Sequence, residues 1–113
     1  MHEDEVEEWT RRELAAFRYE PPAGTIGIPW SSERVDAELE TLRSSLVRPE
    51  RVTVEFLEPT PTRRVLWRVT RDLANGYFVA LDPESRQFGL VVHGEPSQDA
   101  GVWGDLVGTF MAR

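Results

Sequence analysis

The two histidines, His2 and His93, are the residues of this chain best suited to acid–base chemistry near neutral pH. A general base needs a nucleophile or a substrate within hydrogen-bond reach. Neither histidine is accompanied by a Gly-x-Ser-x-Gly elbow or a His-Glu-x-x-His zinc motif. We therefore interpret His93 as a residue at the end of a strand, and we predict no catalytic residue, no metal site and no cofactor.

The charged residues are 20 acids and 13 arginines, with no lysine, and they give a net charge of −7. This balance argues against nucleic acid as a partner. The chain has no cysteine, which excludes disulfides and thiolate nucleophiles. Arginine without lysine is typical of a GC-rich bacterial gene, and we expect a bacterial protein located in the cytoplasm. No apolar run approaches the length of a membrane span, so we expect no membrane association.

Residues 19–30 are rich in glycine and proline and are predicted to form a linker between two helices. Their glycines do not form a phosphate-binding loop, because no Lys-Ser/Thr ending follows them. We predict that Ile26, Ile28 and Trp30 pack against the core, and that residues 25–28 can add a short edge strand.

Residues 51–93 are the stretch around which the fold is predicted to form, as a four-stranded antiparallel meander with one apolar face. Apolar residues alternate with polar ones along all four segments, as they do in strands with one buried side. The twelve residues predicted to share that face are Val52, Val54, Phe56, Val65, Trp67, Val69, Tyr77, Val79, Leu81, Phe88, Leu90 and Val92.

Three turns at residues 59–62, 74–76 and 83–86 determine the predicted pairing of these strands. Gly76 is expected to take the positive φ of a glycine bulge in the second turn. The pairs predicted beside the turns are Phe56 with Val65, Leu73 with Tyr77, and Leu81 with Phe88, which also puts Val54 opposite Trp67 and Val69 opposite Leu81. A slip of one residue would turn a whole strand inside out.

Helices are predicted at residues 3–18 and 31–47, with Ser31 as the cap of the second and Pro49 as its stop. Residues 94–101 are predicted to be a polar loop. Residues 102–112 favour a helix capped by Asp99, with a strand at 106–111 as the alternative. The predicted fold is a single α+β domain over residues 1–113, in which the meander packs against two or three helices as a two-layer sandwich.

The second face of the predicted sheet carries a small apolar spot, where Phe78 falls opposite Val91. Arg68, Thr70 and His93 surround it. Exposed apolar patches with polar rims mark interaction sites, so these five residues are our candidate partner-binding site. In the alternative, a helix covers this face and forms a third layer.

Two functions remain open at this point. The first is a non-enzymatic module that binds or inhibits a protein partner, in the manner of an immunity protein, or that self-associates through its acidic helices or the Phe78 face. The second is a small-molecule-binding protein or small enzyme with an aromatic pocket between helices and sheet. The residues predicted to line that pocket are Trp67, Tyr77, Trp30 and Trp103.

Overall fold

The computed structural model describes residues 1–19 and 30–113. Its helices are α1 (Glu3–Ala16), α2 (Ser32–Ser45) and α3 (Leu106–Met111), and its strands are β1 (Leu46–Phe56), β2 (Thr62–Thr70), β3 (Tyr77–Leu81), β4 (Phe88–Val92) and β5 (Ser97–Gly104). The α+β class is confirmed. The predictions for Ile26, Ile28 and an edge strand at residues 25–28 lie outside the described residues.

The five strands form a closed barrel in chain order, which corrects the predicted open four-stranded sheet. Each strand pairs with the next in antiparallel fashion, and β1 closes the barrel by pairing with β5 in parallel at Val54–Ser97 and Glu55–Gln98. The fifth strand occupies part of the predicted 94–101 loop and the start of the predicted last helix. That helix begins later than predicted, because the side chain of Asp105, rather than Asp99, accepts the capping hydrogen bond from Gly108 N.

The inside of the barrel is filled with apolar side chains. They come from β1 to β4, namely Val54, Leu66, Phe78, Ala80 and Val91, and all are fully buried. Three partly buried residues pack against them, Val52, Phe56 and Trp103. The predicted second face of the sheet is therefore the barrel interior, and its cover comes from closure of the sheet on itself rather than from a helix.

The three helices cover the outer side of the barrel with a second apolar cluster. Strands contribute Trp67, Val69, Val79, Leu81, Phe88 and Leu90, and helices contribute Val6, Leu14, Leu42, Leu106, Val107 and Phe110. These six strand residues belong to the predicted helix-covered face. From the inside outward, the structure therefore consists of the apolar barrel interior, the strands and the helices. The sequence had predicted a two-layer sandwich instead.

The β3–β4 register is confirmed, since Leu81 faces Phe88 and Phe78 faces Val91. The β1–β2 register is wrong, because Phe56 faces Thr62 instead of Val65. The connection is thus one residue longer than predicted and the pairing moves by an odd number of positions, which turns β1 over. Val54 consequently points into the barrel, and Val65 is left 56% exposed.

The β2–β3 pairing is correct beside its turn and shifted beyond it. Leu73 N donates to Tyr77 O as predicted, and Gly76 has a φ of +75°. Farther along, Leu81 faces Trp67 rather than Val69. Between the two regions, the Thr70 hydroxyl takes the place of a backbone carbonyl acceptor. It accepts a hydrogen bond from Val79 N at 2.9 Å.

The second helix begins as predicted but ends early. Ser31 caps it through a hydrogen bond from Arg34 N to Ser31 Oγ at 3.1 Å. The chain leaves the helix after Ser45 and continues directly into β1, so Pro49 lies inside a strand and does not stop the helix. The β1–β2 ladder is irregular between Leu46 and Glu50, where a proline without a backbone donor is tolerated.

Replacing Phe78 with alanine is expected to lower the free energy of unfolding by about 3–5 kcal/mol, because it removes the largest fully buried side chain of the barrel interior. Val65→Ala, on an exposed position of β2, is the control and should cost about 1 kcal/mol or less. Urea denaturation of both variants measures the difference. Equal losses would contradict a filled barrel interior.

Adding one methyl group at Gly89 is expected to destabilise the protein by about 1–3 kcal/mol, since a Cβ there would lie 2.6 Å from the Trp103 ring. Gly104→Ala is the matched control, because no atom lies within 4 Å of its added Cβ. In a Trp103→Leu background the cost of Gly89→Ala should shrink, as a double-mutant cycle of unfolding energies would show. A cost that is unchanged in that background would argue against this contact.

Candidate functional site

Three of the predicted partner-binding residues come together at one end of the barrel. The Arg68 guanidinium lies 4.5 Å from the centroid of the Phe78 ring, and its Nη2 donates to Asp72 Oδ1 at 2.8 Å. His93 Nδ1 lies 3.1 Å from the same carboxylate oxygen, and its ring meets the Phe78 ring edge to face. Arg68, Asp72 and His93 therefore form a polar cap over the apolar interior.

The premise of an exposed apolar spot at Phe78 and Val91 is wrong, because both side chains are fully buried. Thr70 is also buried, and its hydroxyl serves the β2–β3 connection. About half of the His93 side chain is exposed to solvent, whereas only 16% of the Arg68 side chain is exposed. A partner approaching this end meets polar groups rather than an apolar surface.

Aromatic stacking closes the other end of the barrel. The rings of Phe56 and Trp103 stack with centroids 5.8 Å apart, and Trp103 Nε1 donates to Asp99 Oδ1 at 2.8 Å. Gly89 lies directly beneath the indole, where a side chain would not fit. The stacked rings therefore close the barrel interior to solvent at this end.

The four aromatic residues predicted to line one pocket do not surround a common space. Trp103 closes the barrel end, and Tyr77 packs against the helix-covered cluster, to which Trp67 belongs. Trp67 borders a groove beside the start of β1, and Trp30 lies near the end of α3. They do not converge on a shared ligand position.

A half-buried ion pair joins β2 to the turn after β3. Arg64 Nη2 lies 2.7 Å from Asp82 Oδ2, and the Asp82 side chain is almost fully buried. Burial by itself would raise the pKa of Asp82. Hydrogen bonds from Glu84 N, Arg64 and Ser85, together with the Arg64 charge, outweigh burial and leave this pKa lowered. Because its groups are satisfied by one another, this cluster is structural.

The most promising binding feature is a groove between α1, the end of α2 and the first half of β1. It has a volume of about 490 Å³, within the range of ligand sites. Its lining residues are Glu7, Thr10, Arg11, Leu14, Arg43, Leu46, Val47, Arg48, Pro49 and Val69. We call it the arginine groove, because three arginines stand around a floor of aliphatic side chains.

Every arginine of the arginine groove pairs with an acid. Glu7 belongs to the lining itself, and Arg48 lies beside both Glu3 and Asp4. Arg11 Nη2 lies 2.6 Å from Glu7 Oε1, while Arg43 pairs with Glu40 at 3.2 Å and Arg48 with Glu3. These pairs are solvent-exposed, so each contributes little to stability and its arginine can exchange partners.

A second groove of about 640 Å³ adjoins the first and shares Arg48 and Pro49 with it. Arg51 and Trp67 line its far side, and the Arg51 guanidinium lies 5.2 Å from the Trp67 ring centroid. Residues 46–51 of β1 thus form a continuous wall along both grooves. The combined shape is elongated rather than round.

Sequence reasoning missed the arginine groove because its residues come from three elements that are distant along the chain. Arg11, Arg43 and Arg48 share no motif or period. The one available signal was Arg48 beside Pro49 in a stretch assigned to the end of a helix, since a charged strand with proline is typical of a sheet edge. Recognising that signal required knowing that β1 begins at Leu46.

Within residues 1–19 and 30–113, no group of three or more potential metal-ligating side chains is present. No helix in the same described part is both long and apolar enough to cross a membrane. Comparison of the chain with protein-family models, curated proteins and solved structures finds no match.

Asp82→Asn is expected to lower the free energy of unfolding at pH 7 by about 1–3 kcal/mol, because it removes the charge from a buried hydrogen-bonded group. The folded-state pKa of Asp82 is lowered, so its stabilisation is complete above the ordinary carboxyl pKa and is lost as the pH falls through the folded value. The difference between variant and parent should therefore shrink on acidification below about pH 4.

Chemical denaturation at pH 7 and pH 3 tests this expectation, with Glu84→Gln as the control, since Glu84 is an exposed acid 3.5 Å from the same arginine. The control should change stability by only about 0.5 kcal/mol at either pH. If Asp82→Asn lowers the free energy of unfolding by the same amount at both pH values, the expected role of the Asp82 charge is contradicted.

Proposed function

We propose that this protein is a non-enzymatic binding module that recognises another protein through the surface formed by α1, α2 and the first half of β1. The observation that carries the proposal is the contrast between a filled, closed barrel and a grooved, highly charged helix side. A partner inhibited by such contact, as toxins are by immunity proteins, fits the same mode of action, although that comparison rests on size and charge alone.

The filled interior favours surface recognition over chemistry. Both barrel ends are closed by side chains that satisfy one another, Arg68 with Asp72 at one and Trp103 with Asp99 at the other. Within the described residues, His93 has a carboxylate partner but no hydroxyl or thiol nucleophile among its hydrogen-bonding neighbours. A general-base mechanism is thus not supported.

The surface formed by α1, α2 and the first half of β1 has the grooves and the charged side chains that protein recognition uses. Asp4 on α1 and Glu40 on α2 hold exposed carboxylates, with 90% and 76% of their side chains in solvent. Glu8 on α1 is also largely exposed and pairs with Arg12 at 3.1 Å. Charged rims of this kind accelerate association and select the orientation of a partner.

A two-hybrid screen against genomic fragments from the source organism tests the proposal. We expect at least one partner whose binding falls roughly tenfold in the Glu8→Arg/Glu40→Arg variant, because charge reversal at a rim weakens an oriented complex. Binding is then measured with purified proteins by isothermal titration calorimetry.

The matched control is Glu58→Arg/Glu95→Arg, which changes the charge equally at exposed positions in loops away from the helices. It should leave binding unchanged. A screen without partners, or partners sensitive only to the control variant, would show that the helix side does not carry the function.

A further inference from the structure

We propose that the barrel opens locally between β1 and β5 while the rest of the fold stays intact, so that this junction is a conformational gate to the barrel interior. We call the junction the seam and define it by the residue pairs Val54–Ser97 and Glu55–Gln98. The inference goes beyond the proposed function, because it concerns the barrel interior rather than the surface formed by the helices.

The seam is short for the strands that it joins. β1 has 11 residues and β5 has 8, yet in the described part of the chain the two strands pair at two positions. The β3–β4 ladder, by contrast, includes every residue of both strands, from Tyr77–Val92 to Leu81–Phe88. Opening of the seam therefore breaks few backbone hydrogen bonds, which is typical of a region that opens before the whole protein unfolds.

The β2–β3 ladder also pairs at two positions, but it has support that the seam lacks. The Thr70 hydroxyl and the Tyr77 carbonyl accept further hydrogen bonds between these two strands and their connection. Trp67 and Leu81, which face each other in this ladder, pack in the helix-covered cluster. Among the described residues, no member of the seam belongs to that cluster. The helices therefore stabilise the β2–β3 pairing and leave the seam without such cover.

An aromatic contact braces the seam from the side. Phe56 of β1 stacks on Trp103 of β5, with the ring centroids 5.8 Å apart. Trp103 is held independently of β1, because its Nε1 donates to Asp99 and its ring covers Gly89 of β4. Phe56 can therefore move away with β1 while Trp103 stays in place.

Opening of the seam exposes one face of the sheet and leaves the other covered. Val54 is fully buried and belongs to the same interior cluster as Phe78 and Val91. Val79 is also fully buried, but it belongs to the helix-covered cluster on the outer face. We therefore expect the interior to become accessible in the native state, while the helix-covered cluster becomes accessible only on global unfolding.

Thiol labelling measures this difference, because the chain contains no cysteine and an introduced cysteine is its sole thiol. Val54→Cys reports on the seam, and Val79→Cys is the matched control, since both replace a fully buried strand valine. In the absence of denaturant, we expect 5,5′-dithiobis(2-nitrobenzoate) to label Val54→Cys at least roughly 100-fold faster than Val79→Cys, because local opening requires less free energy than global unfolding.

A second substitution separates local opening from global unfolding. Leu42 is fully buried in the helix-covered cluster, so Leu42→Ala destabilises the folded protein without removing a contact at the seam. In this background the labelling of Val79→Cys should accelerate at least roughly tenfold, as expected for truncation of a core leucine. The labelling rate of Val54→Cys should change by less than about twofold, because seam opening leaves the contacts of Leu42 intact.

Equal labelling rates for the two thiols, or equal acceleration of both by Leu42→Ala, would overturn the inference, because the seam would then open only when the whole protein unfolds. Urea denaturation verifies that both cysteine variants are folded and similarly stable. If Val54→Cys does not fold, Val91→Cys replaces it, since Val91 lies in the same interior cluster. Neither measurement needs a binding partner, so its failure is distinguishable from failure of the proposed function.

Discussion

The parallel pairing of β1 with β5 is the constraint on which the rest of the structure depends. It spans only Val54–Ser97 and Glu55–Gln98, yet it converts an open meander into a barrel. Once the sheet is closed, one of its faces becomes an interior that must be filled. Phe78 is the largest side chain that is fully enclosed there.

Closure also determines where a partner can bind. An open sheet with helices on one side would expose its second face, and that face would be the natural contact surface. In the closed barrel the same residues are core, and Arg68 and Asp72 seal them from water. The binding surface that we propose therefore lies on the outside of the barrel, where α1 packs beside β1 and leaves a groove along the strand.

The parts of the fold that the sequence predicted correctly are those determined by short-range chemistry. Asp82 and the turn after it determine the β3–β4 register, and Ser31 determines the start of α2. The incorrect predictions concern features that depend on a segment distant along the chain. The direction in which Val54 points depends on β5, and β5 shows no clear alternation because Gly101 and Gly104 interrupt its pattern.

The candidate site was beyond prediction for the same physical reason. Arg68, His93 and Phe78 were correctly expected to be neighbours, because they lie on adjacent antiparallel strands. Whether that neighbourhood faces solvent is a property of the whole barrel. Arg11, Arg43 and Arg48 become neighbours only after α1 packs against β1. No local sequence pattern therefore predicts that they lie together.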